Sequence, residues 1–420
     1  MTKFYLETYG CKLNQADSNI IKDILEKEGY RETSEKKADF VIINSCGVLE
    51  KTELKIFKRI KKLKKEGKKV ILAGCLPLIS FEKAKKLADG ILGPKNLLSL
   101  PNLIKEISKG KKPIFLKDEE IDKIKYYPIK KEKLKVSIVI PISEGCLGNC
   151  SFCATKLARK RLKSFSKKEI LAKIKKAIEL EFKEIQLTSQ DLAIYGLDKG
   201  RFLLPELLSE ISKIEGDFKV RLGMMEPFFA KKILKEIFSI LKSEKFYKFL
   251  HLPLQSGDNE VLRSMNRNYK VEDFLEIVEK FRENFKECVL ATDIICGYPS
   301  ETKRAFENSL KIIEKIKPEI LHIFKFSQRK NTKAEKLKDF PDKIKKERTR
   351  LLTSLWKKIN LEKNKKYIGK KLEVLVVEKR EKNFLARANS FRAVILKRGK
   401  LGEKKRVKII DAKVNYLMGA

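Results

Sequence analysis

At 420 residues the chain is too long for one ordinary domain, and its 42% hydrophobic content is enough to build cores in two or three. Lys and Arg number 96 against 56 Asp and Glu, a formal net charge of +40. Such a charge points to a polyanionic partner, most simply nucleic acid, because neutralising phosphates releases counterions. Heat adaptation also enriches charged residues, but of both signs, and does not account for the imbalance. No apolar run reaches the length of a membrane span, and the first residues lack the apolar stretch of a signal peptide. The expected location is the cytoplasm, where the eight cysteines stay reduced and read as ligands or core residues.

In chain order, strand-like residues 3–8 precede a helical stretch at 17–28, residues 39–44 precede a second near 53–65, and residues 69–73 precede a third near 81–88. This alternation predicts an open parallel α/β sheet domain over residues 1–112. Each strand ends in a cysteine: Tyr9-Gly10-Cys11, Asn44-Ser45-Cys46 and Ala73-Gly74-Cys75. In an open α/β sheet the carboxyl ends of the strands share one edge, where ligands bind, so the three cysteines are expected to converge. A lone cysteine after a strand is usually a small buried hydrophobe. Three at equivalent positions favour a shared iron–sulfur cluster over core packing or zinc. Cys288 and Cys296 have no such partners and read as core residues.

A charged stretch from 109 to 135 is expected to link this domain to the next. Strand candidates then recur at 136–142, 184–188, 218–224, 248–251, 288–295 and 319–324, with helical stretches such as 167–180, 230–241, 271–284 and 302–315 between them. Six β/α units are too few to close an eight-stranded barrel, so residues 135–360 are expected to form a partial (β/α)6 barrel with its chemistry at the carboxyl ends of the strands. Directly behind the first of these strands lies Ser143-Glu-Gly-Cys-Leu-Gly-Asn-Cys-Ser-Phe-Cys153. Its spacing, C-x3-C-x2-C, supplies three thiolates to a four-iron cube and leaves one iron for a non-protein ligand. Zinc sites more often close four ligands from C-x2-C pairs, and neither His251 nor His322 is near in sequence. His251, packed before Pro253 at a strand end, reads as structural.

Residues 342–366, with the only tryptophan at Trp356, read as a lysine-rich helix leading out of the barrel. Beyond them, short strands at 372–378, 384–389, 393–396 and 406–412 alternate with turns at Gly399 and Gly402. Over residues 361–420 there are 18 Lys and Arg against 6 Asp and Glu. A small basic β-barrel of this kind suits RNA; the rival reading is a solvated lysine-rich surface, since aromatics are sparse there.

The cysteine motif after a strand, with Phe152 before the third cysteine, resembles the signature of the radical S-adenosylmethionine (SAM) superfamily. With Tyr9-Gly-Cys-Lys-Leu-Asn-Gln15, Asn44-Ser-Cys46, Ala73-Gly-Cys75, His251-Leu-Pro-Leu-Gln-Ser-Gly257, Met265-Asn-Arg267 and Thr292-Asp-Ile-Ile-Cys-Gly-Tyr-Pro-Ser-Glu-Thr302, nearly the whole chain resembles the radical SAM methylthiotransferases. That family combines an N-terminal cluster domain, a radical SAM domain and a terminal TRAM domain. The segment from Gly145 to Phe165 is most similar to the archaeal and eukaryotic branch, which acts on N6-threonylcarbamoyladenosine in tRNA. Lys160 stands where that family commonly has glycine, Ser300 replaces a common glycine, and Arg329-Lys-Asn-Thr332 lacks the usual Pro-Gly.

The resemblance implies two 4Fe–4S clusters, an auxiliary one on Cys11, Cys46 and Cys75 and a SAM-cleaving one on Cys146, Cys150 and Cys153. By the same resemblance Phe152 would border the SAM adenine, while the polar Thr188, Gln190 and Glu226 at other strand ends, and less specifically Gln255 and Arg267, are candidates to hold the rest of SAM; for Glu226 the alternatives are a solvated loop carboxylate or a helix N-cap before Pro227. Arg159, Lys160, Arg161 and Lys163, directly after the Cys146 motif, are candidate clamps for tRNA phosphates, with Arg387 and Arg392 of the terminal barrel; the rival reading is a solvated helix entrance. The product would be 2-methylthio-N6-threonylcarbamoyladenosine beside the anticodon, made with an electron donor such as a ferredoxin or flavodoxin and a sulfur source. Rival readings are methylthiolation of isopentenyladenosine or of a ribosomal-protein aspartate, and, from another class, a non-catalytic zinc-containing RNA-binding protein.

Overall fold

The computed structural model describes residues 2–131 and 135–420, so residues 132–134 of the charged stretch lie outside the described residues. The chain divides into two units. One comprises Met1–Pro128, Ser143–Ser166 and Ser327–Lys336; the other comprises Ile129–Ile142, Lys167–Phe326 and Leu337–Ala420.

The first unit is built on a six-stranded parallel sheet: β1 (Lys3–Thr8), β2 (Arg31–Glu32), β3 (Phe40–Ser45), β4 (Lys69–Gly74), β5 (Gly90–Leu92) and β6 (Ile114–Phe115). The order is β2-β1-β3-β4-β5-β6, a doubly wound arrangement in which ligands bind beyond the carboxyl edge near the reversal between β1 and β3. β3 is buried along its whole length, as its unbroken apolar run demands of a strand covered on both faces. The helix Glu50–Lys65 covers one face with Ile56, Phe57, Ile60 and Leu63, at the spacing that keeps one helical stripe on Val41, Ile43, Val70 and Leu72. The stretch expected as a bare linker is more than that. It supplies β6 and the helix Lys123–Tyr126, whose Lys123 and Ile124 are buried. The same unit holds a short antiparallel pair, β8 (Ser143–Glu144) and β9 (Lys163–Ser164), which brackets the Cys146 loop and the helix Thr155–Arg159.

The second unit has six parallel strands in two triplets. β7 (Ser137–Pro141), β10 (Glu184–Thr188) and β11 (Lys219–Arg221) pair in the order β11-β10-β7, and β12 (Phe249–His251), β13 (Val289–Cys296) and β14 (Ile320–Lys325) pair in the order β12-β13-β14. Single bridges, Val220 to Phe246 and Met224 to His251, join the triplets into one arc. The arc's inside is identified by contacts across it: Tyr247 Oη donates to Glu184 Oε2 at 2.9 Å, skipping β11, and the Arg221 guanidinium lies 4.7 Å from the Phe249 ring centre.

The helix Asp342–Lys365 ties the arc to the C-terminal barrel. Trp356 Nε1 donates to the Pro318 carbonyl at 3.0 Å, and the Asn360 amide bridges the carbonyls of Glu319 and Val414 at 3.0 and 2.6 Å. That barrel is closed, in the order β15 (Lys371–Lys379), β16 (Phe384–Ala388), β17 (Ala393–Leu396), β19 (Leu417–Gly419) and β18 (Lys404–Ala412). The three-residue β19, not expected from the sequence, pairs with both β17 and β18 and removes the open edge. From the β16–β17 turn Phe391 reaches the arc and packs against Tyr247 and Phe249, each ring centre at 5.0 Å.

Candidate active site

All six cysteines of the two expected triplets fall within the first unit. Cys11, Cys46 and Cys75 follow β1, β3 and β4, which are neighbours in the sheet, so the sequence spacing becomes one edge. Amides fix that edge. Asn14 Nδ2 donates to the Ser45 carbonyl at 3.1 Å, Asn44 Nδ2 donates to the Asn14 carbonyl and to Ser18 Oγ, both at 2.8 Å, and the Cys11 thiol donates to Asn14 Oδ1 at 3.3 Å. Gly10, at φ +134°, lies so close to Cys46 that an added Cβ would sit 2.8 Å from the Cys46 Cβ. In the second triplet the Gly148 N–H donates to Cys146 Sγ at 3.2 Å. A Cβ on Gly148 would stand 3.3 Å from Cys146 Sγ and 3.7 Å from Cys150 Sγ, in the space between the two sulfurs.

Burial pushes the thiols of Cys46 and Cys153 up and that of Cys75 up to about 12. A thiol in such surroundings holds its proton at neutral pH unless a cation replaces it, as cluster iron does. Both sets therefore fit three-thiolate cluster ligation: glycine-lined sulfur cradles at loop positions, with all eight cysteines unbridged.

A buried ionic group touches the first triplet at Cys75. Arg159 Nε donates to Cys75 Sγ at 3.3 Å and Nη1 donates to Glu144 Oε1 at 3.0 Å, while Nη2 lies 2.6 Å from Asp17 Oδ2. Lys123 Nζ completes the set, 3.1 Å from Asp17 Oδ1 and 2.5 Å from Glu144 Oε2. Burial works against the Arg159 charge, but Asp17, Cys75 and Glu144 outweigh it. Burial likewise opposes the Glu144 charge, and Lys123 and Arg159 overcome it. Ala154 and Ala158 pack with Cys75 and Ile79, so apolar contact joins the same two segments.

This arrangement corrects the role expected of Arg159. It is 1% exposed, and its donors face carboxylates and a sulfur inside the unit, out of reach of tRNA phosphates. Arg392 is corrected for a similar reason: it is buried, donates to Asn364 Oδ1 and stacks 4.6 Å over the Tyr367 ring. Arg387 lies 4.2 Å over the Phe391 ring, and burial lowers its pKa. Arg161 is exposed, and Lys163 is half-buried beside Glu120 at 3.3 Å.

Lys160 adopts φ 52° and ψ −127°, a conformation that favours glycine and costs other residues roughly 1–3 kcal/mol. Lys160→Gly is expected to raise the unfolding midpoint of the apo protein, because the ion pair it forfeits, to Asp118 at 3.3 Å, is solvent-exposed and contributes little. A lowered midpoint on thermal unfolding would contradict this.

In the second unit the expected SAM contacts lie at the end of, or in the segments after, β10, β11 and β12, except Arg267, which follows the helix Asn259–Ser264. Thr188 ends β10 and Gln190 follows, half-buried. Glu226 caps the short helix Pro227–Ala230, accepting from the Phe229 N–H at 3.3 Å, and also pairs with Arg267 at 3.3 Å. Gln255 has φ +67° and donates its backbone N–H to the Asp293 carbonyl at 2.7 Å. Phe152 is half-buried in the loop of the other unit. Asp191 joins this set from the Thr188 segment: its Oδ1 accepts from the N–H groups of Ala193 and Glu226 at 3.0 and 3.1 Å, and its Oδ2 has no partner among the described residues. Hydroxyl, amide and carboxylate groups together fit the ribose and amino acid parts of SAM.

Burial pushes the Asp191 carboxyl up to about 7. A carboxyl whose folded pKa is raised stabilises the fold below its unfolded value near 4, and that contribution is lost as pH rises through about 7, a change of ~4 kcal/mol. Asp191→Asn, which cannot ionise, is expected to flatten this part of the stability curve. Urea unfolding of both apo proteins between pH 4 and 7 checks it, and parallel curves would contradict it.

Residues 3–93 match the Uncharacterized protein family UPF0004, and residues 140–313 match the Radical SAM superfamily. The chain is 50% identical over 416 residues to an Archaeoglobus fulgidus protein named "Probable threonylcarbamoyladenosine tRNA methylthiotransferase", covering 99% of this chain and 97% of the relative. It is 34% identical to a Clostridium botulinum protein named "tRNA-2-methylthio-N(6)-dimethylallyladenosine synthase", covering 99% and 96%. Among solved structures, the radical SAM methyltransferase TsrM from Kitasatospora setae shares the fold, with TM-score 0.57, 13% identity, and coverage of 80% of this chain and 74% of that one.

Proposed function

Because the chain belongs to the radical SAM methylthiotransferase family, we propose that it converts N6-threonylcarbamoyladenosine beside the tRNA anticodon to its 2-methylthio derivative. The observation that carries this is likeness along essentially the whole chain to an archaeal relative bearing that name, 50% identical against 34% for the isopentenyl-type relative. The enzyme uses two 4Fe–4S clusters and SAM. When bound, these would supply one-electron chemistry and a carrier for the methylthio sulfur, which no side chain can provide on an aromatic C–H bond.

The chain's own residues do the holding and positioning. Cys146, Cys150 and Cys153 serve as ligands of the SAM-cleaving cluster, and Cys11, Cys46 and Cys75 as ligands of the auxiliary one. Support comes from their loop positions after β-strands and from the glycines that leave room at the sulfurs. Phe152 borders the adenine. Thr188, Gln190, Asp191, Glu226, Gln255 and Arg267 hold the polar groups of SAM, with the Glu226–Arg267 pair offering one charge of each sign to an amino acid's two termini. Arg161 and Lys163 meet tRNA phosphates, and the basic C-terminal barrel adds affinity. A ferredoxin- or flavodoxin-like donor supplies electrons, a separate source supplies sulfur, and the reaction runs in the cytoplasm; among the described residues no helix is long and apolar enough to cross a membrane.

Mass spectrometry of tRNA nucleosides from cells with and without the gene tests the substrate. The 2-methylthio-N6-threonylcarbamoyladenosine is expected to vanish in the deletion while its unmethylthiolated precursor accumulates. Loss of the isopentenyl product instead would move the assignment to the rival substrate.

A further inference from the structure

We propose that His251, Asp293 and His322 form a mononuclear site for a divalent first-row cation inside the strand arc of the second unit. The chain has two histidines, and both meet one carboxylate. His251 Nε2 lies 3.0 Å and His322 Nδ1 2.7 Å from Asp293 Oδ1, and the three donor atoms all lie within 4.8 Å of one another. Donors bound to one ion at roughly 2.0–2.2 Å stand about 3–4 Å apart, so the side chains need little movement to take it.

Strand register produces the convergence. Asp293 pairs with His322 across β13 and β14, and His251 pairs with Ala291, two residues before Asp293 and on the same face. That face is the inside of the arc, since Phe249, Ala291 and Ile320, each two residues earlier, pack with Tyr247 and Phe391. The site thus stands one layer above an apolar plug. It remains reachable: the His322 side chain is 45% exposed, while those of His251 and Asp293 are 14% exposed.

Two imidazoles and one carboxylate with room for further ligands match ferrous iron and its neighbours in the first transition row. A bound cation would take the place of the N–H protons now shared with Asp293 and leave positions free for an oxygen or nitrogen donor of a bound molecule. This site is separate from the cysteine clusters and does not depend on the substrate proposed above.

Titration of the cluster-loaded full-length protein with Mn2+, followed by electron paramagnetic resonance, tests it. Wild type is expected to take one Mn2+ per chain, with spin-echo modulation from imidazole nitrogen. His322→Ala and Asp293→Asn should each weaken binding at least roughly 10–100-fold, no less than the loss of a partner outside the ligand set. His322→Ala removes a partly exposed ring, so its far-ultraviolet circular dichroism should match wild type. Absence of nitrogen modulation, or unchanged affinity in both variants, would overturn the proposal.

Discussion

Arg159→Leu is expected to destabilise the apo protein by roughly 3–5 kcal/mol, the usual consequence of stripping one partner from a buried ionic group. In the native chain Asp17 and Glu144 share two cations, Arg159 and Lys123, and all four side chains are nearly inaccessible to solvent. Removing Arg159 leaves two buried carboxylates with one cation and leaves Cys75 Sγ without its donor. Arg159→Lys keeps the charge but cannot address Asp17, Glu144 and Cys75 from one planar fork, so a smaller loss is expected. Because the group is dry, added salt should screen it little. Urea unfolding with the three chains side by side measures this, and a loss below about 1 kcal/mol for Arg159→Leu would place the group among weak, surface-like pairs.

The second large effect separates the two cysteine sets. Cys150→Ala is expected to abolish reductive formation of 5′-deoxyadenosine, because the iron–sulfur cube depends on three protein sulfurs in one short loop. Cys46→Ala is expected to spare that reaction and stop methylthiolation, because Cys46 stands at the end of β3 in the other set. Both products are read by liquid chromatography from one reaction mixture. Continued 5′-deoxyadenosine formation by Cys150→Ala, or methylthiolated tRNA from Cys46→Ala, would remove the residue concerned from its assigned set.

β1, β3 and β4 were legible from the chain alone: they stand where β/α alternation and turn residues put them, and with them the shared edge of three cysteines. The missing strands were short. β2, β6, β8 and β9 have two residues each and β5 and β19 three, and each is held by a neighbouring strand more than by its own pattern. Arg159 was misread because its partners, Asp17 and Lys123, lie far away in sequence; local context offered only a run of cations. The same limit hid the histidines, since nothing local links His251 or His322 to an aspartate inside an apolar strand. Phe391 also changes the reading of the C-terminal barrel, which is packed into the arc as well as basic. Removing residues 361–420 would therefore strip Phe391 from the Tyr247 and Phe249 cluster of the arc.

Whether the six cysteines form two separate three-ligand sets is tested most directly by counting iron and acid-labile sulfide after anaerobic reconstitution. Wild type is expected to hold about eight of each, and chains lacking either Cys11, Cys46 and Cys75 or Cys146, Cys150 and Cys153 about four. Stoichiometric zinc in place of iron, or about four irons in wild type and none in one triple variant, would contradict it.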